Sequence, residues 1–177
     1  MKLFYFILLC FLGLVSKAQY ESNPLLRKST LQYQAPHFDL IKDEHFRPAF
    51  DEGMRRHNEE IQNIANNAEK PSFKNTVVAL ELSGQDLNRA MGVFYNFTSA
   101  NTNPNLQKLE EEYAPVFSAH NDKIYLDSRI YKRMKSLDSK KLSGEDRRLL
   151  EYYILQFELA GAGLKDADKE RMKKINE

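Results

Sequence analysis

The sequence predicts an all-α fold, an irregular multi-helix bundle preceded by an extended N-terminal arm. Three observations carry this. Apolar residues recur at spacings of three and four through most of the chain, which is the period of one helical face. No segment alternates convincingly with period two, so no sheet is expected. Seven Gly and six Pro among 177 residues suit long helices better than a many-turned β fold. The helices expected differ in length and share no fixed repeat, which argues against a regular solenoid.

Composition sets the first limits on function. A length of 177 residues allows one domain with a real core. Lys and Arg number 26 against 25 Asp and Glu, so no basic excess points to nucleic acid as a partner. With 29% charged and 42% apolar residues the mixture is globular.

Residues 1–18 read as a signal peptide. Lys2 gives a positive start, Leu3 to Val15 is almost wholly apolar, and Ser16-Lys17-Ala18 offers small residues where a signal peptidase reads. The apolar run is shorter than the roughly 20 residues of a spanning helix. The expectation is therefore export, to periplasm or medium, after cleavage near Ala18, with no stable membrane anchor; a retained anchor is the alternative. Cys10 lies inside the segment removed. The mature chain then holds no cysteine, which excludes Cys as nucleophile or metal ligand.

Residues 19–42 are expected to form an extended arm, tethered by Leu25, Leu26, Leu31 and Phe38. Residues 43–177 form the helical domain. Its first helix should start near Asp43, with Phe46, Phe50, Met54, His57, Ile61, Ile64 and Ala68 on one face. Pro48 is tolerable only near a helix start, and Asn66-Asn67 with Pro71 mark the exit.

A second helix is expected after Asn75 as cap, holding Val77, Val78, Leu80 and Leu82. A third should follow Ser83 as cap, with Asp86 reaching back in a capping box. Leu87, Ala90, Met91, Phe94 and Phe97 form its face. Asn103-Pro104 opens the next helix, cap then Pro at the first position. Its face is Leu106, Leu109, Tyr113, Val116, Phe117, His120 and Ile124, with a kink expected at Pro115. Asp127 should cap a shorter helix holding Ile130, Tyr131, Met134 and Leu137. Ser143-x-x-Asp146 should box a helix bearing Leu149, Leu150, Tyr153, Ile154 and Phe157, ending near Gly161 and Gly163. A last helix from Asp166 or Asp168 carries Met172 and Ile175. It meets no stop signal before Glu177, so the domain is expected to be incomplete at its C-terminal end.

The order of several short stretches carries a resemblance. Phe73-x-Asn75-Thr76-Val77-x-Ala79-Leu80-Glu81-x-Ser83-Gly84, followed by Leu87, Phe94 and Asn96, resembles the N-terminal region of the thimet oligopeptidase family of zinc metallopeptidases. The peptidyl-dipeptidase and oligopeptidase A branch is the most similar. Asn23-Pro24-Leu25-Leu26, Ala35-Pro36-x-Phe38-Asp39-x-Ile41 and Glu44-His45-Phe46-x-Pro48-Ala49-Phe50 agree in the same order. So do Ala114-Pro115 with Ala119-His120, and Ala160-Gly161-Ala162 with Asp168-Lys169. The resemblance implies a longer parent enzyme that binds zinc and cleaves short peptides, with this helical part forming one wall of a channel over the metal. It also implies a missing C-terminal catalytic region.

That family's zinc site is His-Glu-x-x-His on a helix, two imidazoles one turn apart with a Glu that activates water. The histidines of this chain are His37, His45, His57 and His120, and no two stand four apart. No metal-ligating, catalytic or cofactor-binding residue can therefore be assigned, and this chain alone is expected to be inactive and to bind no zinc. His57 and His120 lie on apolar faces and read as core histidines bonded to backbone carbonyls. Glu110-Glu111-Glu112 reads as solvated surface, Ser143-Gly144 as a cap rather than a nucleophile, and Asn96-Phe97-Thr98 as a weak glycosylation acceptor. Tyr152, Tyr153 and the lysines near Lys173 read as core or surface, with contact to peptide in a groove as the alternative. A reading of another class, a stand-alone secreted helical module that binds peptide or protein, keeps the scaffold without the catalytic half.

Overall fold

The computed structural model describes residues 22–176, and the leader proposed for residues 1–18 lies outside them. The described residues are all-α, with no strand among them. The helices are α1 (Phe46–Ala65), α2 (Ala79–Glu81), α3 (Gln85–Ala100), α4 (Pro104–Tyr125), α5 (Ser128–Lys135), α6 (Gly144–Ala160) and α7 (Asp166–Asn176). Single 3₁₀ turns occupy Pro24–Leu26, Gln32–Gln34, Asp43–His45 and Ser139–Lys141, and a π-helical turn, Phe73–Val78, leads into α2. No described helix is long and apolar enough to cross a membrane.

Several helix ends follow the expected chemistry. The Asn103 carboxamide oxygen accepts from the amides of Asn105 and Leu106 at 2.9 and 3.0 Å, and Pro104 opens α4. The Asp127 carboxylate accepts from Arg129 N at 2.8 Å at the start of α5. Gly161 ends α6 in the left-handed region, φ 99°, where a side chain would be strained. Pro115 lies inside α4, and the helix continues through it.

Three other ends differ from expectation. Asn75 is not the cap of its helix. Ser72 is, and Asn75 is the third residue, so that Ser72 Oγ accepts from Asn75 N while Asn75 Oδ1 accepts from Ser72 N. Ser83 does not cap α3. Gly84 does, at φ 69°, and Ser83 Oγ donates back to Leu80 O at 2.7 Å. Ser143 precedes α6 in extended backbone, yet its side chain makes no cap bond.

The fold divides into two compact units. The first holds the described chain up to Arg56 together with Gly84–Gln107. Its core is aromatic. Phe46, Phe50 and Phe94 are fully buried. Phe94 meets Phe46 and Phe50 edge-on, each with centroids 5.1 Å apart. Gly53 lets α1 approach α3, since a Cβ there would stand 3.0 Å from the Leu87 Cα. The arm enters through Leu25 and Leu26, both buried, while Leu31 and Phe38 stay about half exposed. Of the four tethers expected, the first two are buried, and Phe38 makes a ring contact with Phe97 at 5.8 Å.

The second unit holds His57–Ser83 and the chain from Lys108 onward. Its core is mainly aliphatic: Ile61, Ile64, Val77, Leu80, Ile124, Ile130, Met134 and Leu150, with Phe157 the one fully buried ring. Arg133 and Lys169 are buried beside it and are answered by backbone carbonyls rather than carboxylates. Arg133 Nη1 donates to Asn67 O at 2.7 Å. Lys169 Nζ donates to Leu126 O at 2.9 Å and also to Ser128 Oγ, which closes the C-terminal end of α4 with a cation.

Candidate functional sites

Polar chemistry collects in three places. The first is an ion-pair chain inside the first unit. Glu52 projects from α1 and is nearly buried, which alone would penalise its charge. Arg55 bonds it bidentately at 2.7 and 2.8 Å, and Arg56 adds a third bond at 2.7 Å. These hydrogen bonds, that from Arg55 foremost, hold the carboxyl down to about 2 against the opposing effect of burial. Arg56 also meets Asp86 at 2.8 Å, and Asp86 meets Arg89 at 2.7 Å. Arg89 Nε then donates to Leu25 O at 3.1 Å, which fastens the arm. Asp86, expected in a capping box, instead joins two arginines.

The second place is a histidine relay in the second unit. Ser83 Oγ–H is committed to Leu80 O, so its oxygen accepts from His57 Nε2 at 3.2 Å. That places the His57 proton on Nε2 and leaves Nδ1 as an acceptor. His120 Nε2 donates to it at 3.0 Å. The two rings stand 5.0 Å apart. Burial lowers the His57 pKa, with Glu60 acting the other way. Burial lowers His120 further, to about 4, reinforced by His57 and by Lys123. Both histidines are core residues, as expected. Their partners are a hydroxyl and each other, however, and not the backbone carbonyls that a single helical face suggests.

This pair does not fit a zinc ion. Each shared nitrogen is spent on its neighbour, and no group of three His, Cys, Asp or Glu side chains among the described residues is placed to hold a metal. His45 is likewise occupied, its Nδ1 accepting from Lys42 N at 3.1 Å, and His37 stands 3.9 Å from the Asp39 carboxylate.

The third place comprises two cavities, one in each unit. A cavity of about 360 Å³ lies between the arm and α3 in the first unit, reached by Arg27, Lys28 and Arg89. A more open cleft of about 520 Å³ in the second unit is bordered by both signs of charge, including Asp122, Asp127, Arg129 and Lys169. Two of its ion pairs are internal to it, Arg129 with Asp127 and Lys173 with Glu170 at 2.6 Å, while Lys169 bonds to Leu126 O and Ser128 Oγ.

The remaining sequence candidates fall on the surface or in pairs. Glu111 and Glu112 are exposed and Glu110 is half-buried. Asn96 is exposed on α3. The Tyr153 hydroxyl donates to Glu81 at 2.6 Å, and its pKa is raised by burial and then by that carboxylate. Tyr152, Leu155 and Leu159 form an exposed stripe on α6. Sequence reasoning missed Glu52 and Arg133, and met Lys169 only within the Asp168-Lys169 stretch of the resemblance, not as a buried cation. Glu52 does have a local signal, arginines three and four residues on; Arg133 has none.

No family model matches the chain. Individual proteins do. It is 44% identical over 160 residues to a dipeptidyl carboxypeptidase of Salmonella typhimurium, covering 88% of this chain and 24% of that protein. A dipeptidyl carboxypeptidase of Escherichia coli is 44% identical over 158 residues, 87% of this chain and 23% of that one. An oligopeptidase A of Haemophilus influenzae is 25% identical over 160 residues, again 87% of this chain and 22% of the relative. The chain thus spans about a quarter of the length of the curated relatives it matches.

Proposed function

We propose that this chain is the N-terminal helical part of a thimet oligopeptidase-family peptidase that hydrolyses short peptides and releases dipeptides from their C-terminal end. The single observation behind this is the 44% identity over 160 residues to dipeptidyl carboxypeptidases of two organisms. The oligopeptidase A match is more distant, which favours dipeptide release over internal cleavage.

In this reading the helical part supplies one wall of a channel whose narrow entry restricts substrates to short peptides. In the same reading zinc belongs to the parent enzyme, outside the described residues. The exposed stripe of Tyr152, Leu155 and Leu159 suits a surface that packs on further protein. Export after cleavage near Ala18 is part of the same proposal.

The test is made on the native protein from its source. Its intact mass and N-terminal sequence are read, and a blocked tetrapeptide is offered with and without a chelator. The expected result is a mass several times that of this chain, a start at Gln19, and chelator-sensitive release of the C-terminal dipeptide. A mass matching residues 19–177 with no hydrolysis would refute the reading. Chelator-sensitive cleavage by residues 19–177 alone would refute the channel-wall role.

A further inference from the structure

The arm is held at both ends and bridges a hollow between them. At one end the Asn23 carboxamide donates to His45 O at 2.8 Å, and Leu25 O accepts from Arg89. At the other end Ile41 is buried. Among the described residues, 27–40 between these ties make backbone–backbone bonds only to one another: Gln34 N to Leu31 O, Ala35 N to Gln32 O, Phe38 N to Pro36 O and Leu40 N to His37 O. A connection of that length usually has a role beyond joining its ends. Tyr33 and Gln34 both sit at φ 57°, a conformation that residues other than glycine seldom adopt and that clusters at ligand clamps.

The hollow beneath this segment is the 360 Å³ cavity, within the size range of small-molecule sites. Its charge is one-sided. Arg27, Lys28 and Arg89 reach it, Arg89 already paired with Asp86, and no carboxylate is among its lining residues within the described part of the chain. Arg89 is pre-positioned by Asp86 and Leu25 O, so a ligand need not order it. Arg27 and Lys28 are exposed on the arm, where cations are free to close on an anion. Ser29 and Thr30 add hydroxyl donors. The floor is apolar, with Leu25, Ile41 and Val93 almost fully buried behind it. Cations at the rim above an apolar floor match a molecule with an anionic head and an apolar body. The second unit's cleft lacks this polarity, because Asp122, Asp127 and Glu170 line it together with its cations.

We propose that this cavity is a binding site for a small amphipathic carboxylate. Two sources share that chemistry, a short acyl chain and the C-terminal end of a peptide with an apolar last residue. The site is separate from the peptidase chemistry proposed above, and neither claim rests on the other.

The test is ligand-observed NMR on the chain at micromolar concentration, with three probes: octanoate, N-acetyl-Leu-Leu and octylamine. At least one carboxylate should bind roughly tenfold or more tighter than octylamine, the amine that reverses the charge on a similar body. The double variant Arg27→Glu with Lys28→Glu should weaken that probe by roughly tenfold or more. Both side chains are exposed, so helical content by circular dichroism should be unchanged. Thr30→Trp, another exposed position, should block the cavity and abolish binding while leaving the charges in place. Binding by octanoate alone marks an acyl ligand, and binding by N-acetyl-Leu-Leu alone marks a peptide end. Equal binding of amine and carboxylate, no binding of either carboxylate, or full binding in both variants would overturn the proposal.

Discussion

The two units solve the burial of polar groups in opposite ways. In the first, charge answers charge: Glu52 and Asp86 are interleaved with Arg55, Arg56 and Arg89 around a core of phenylalanines. In the second, the buried polar groups are neutral or bound to backbone. His57 and His120 share a hydrogen bond as uncharged rings, and Arg133 and Lys169 donate to carbonyls at helix and loop ends. A carboxylate held by arginines resists protonation, whereas a buried neutral imidazole is vulnerable to it. The units should therefore fail under different conditions.

The largest contrast is in the cores. Phe94→Ala removes the ring that both Phe46 and Phe50 meet edge-on, and should cost about 3–5 kcal/mol in urea unfolding. A cost below about 1 kcal/mol would mean that the aromatic cluster is not what holds the first unit.

Acid should separate the units next. The histidine pKa values are lower in the folded chain than in the unfolded one, so the unfolded chain takes up the protons and stability falls as pH falls. The loss begins near the ordinary histidine value of about 6.5 and is complete below the folded His120 value of about 4. For His120 it amounts to at most about 3 kcal/mol. Glu52 follows the carboxylate sign: its stabilisation is present above the ordinary value of about 4.3 and fades toward about 2. Amide exchange followed from pH 7 to 3 should show the second unit loosening before the first. His120→Leu should flatten the upper part of that profile. Simultaneous loosening below pH 4 would remove the distinction.

The smallest effect sharpens the account of helix ends. Ser72→Ala breaks a two-way capping box and should cost about 1 kcal/mol. Ser143→Ala should cost close to nothing, because that side chain makes no cap bond. Equal costs in thermal melts would contradict the assignment of caps.

Much of this pattern is legible in the sequence. The apolar faces of α1, α3, α4 and α6 follow from local periodicity, and so do the Asn103 and Asp127 caps and the stop at Gly161. Where reading failed, two local rules competed. Ser72 and Asn75 can each cap a helix, and the chain uses both, in an order that spacing does not give. Ser83 and Asp86 also have capping-box spacing, but Asp86 has arginines within reach and forms ion pairs with them instead.

By itself the sequence determined the helices and the face each buries, because a helix repeats every three or four residues and its evidence is local. The family resemblance was carried in the same way, by ordered short stretches. The tertiary structure decided which polar group meets which. Arg56 and Asp86 are 30 residues apart, His57 and Ser83 are 26, and His57 and His120 are 63. No periodicity spans such distances. Each of these partners is chosen by the requirement that a buried polar atom find a bond wherever packing delivers it.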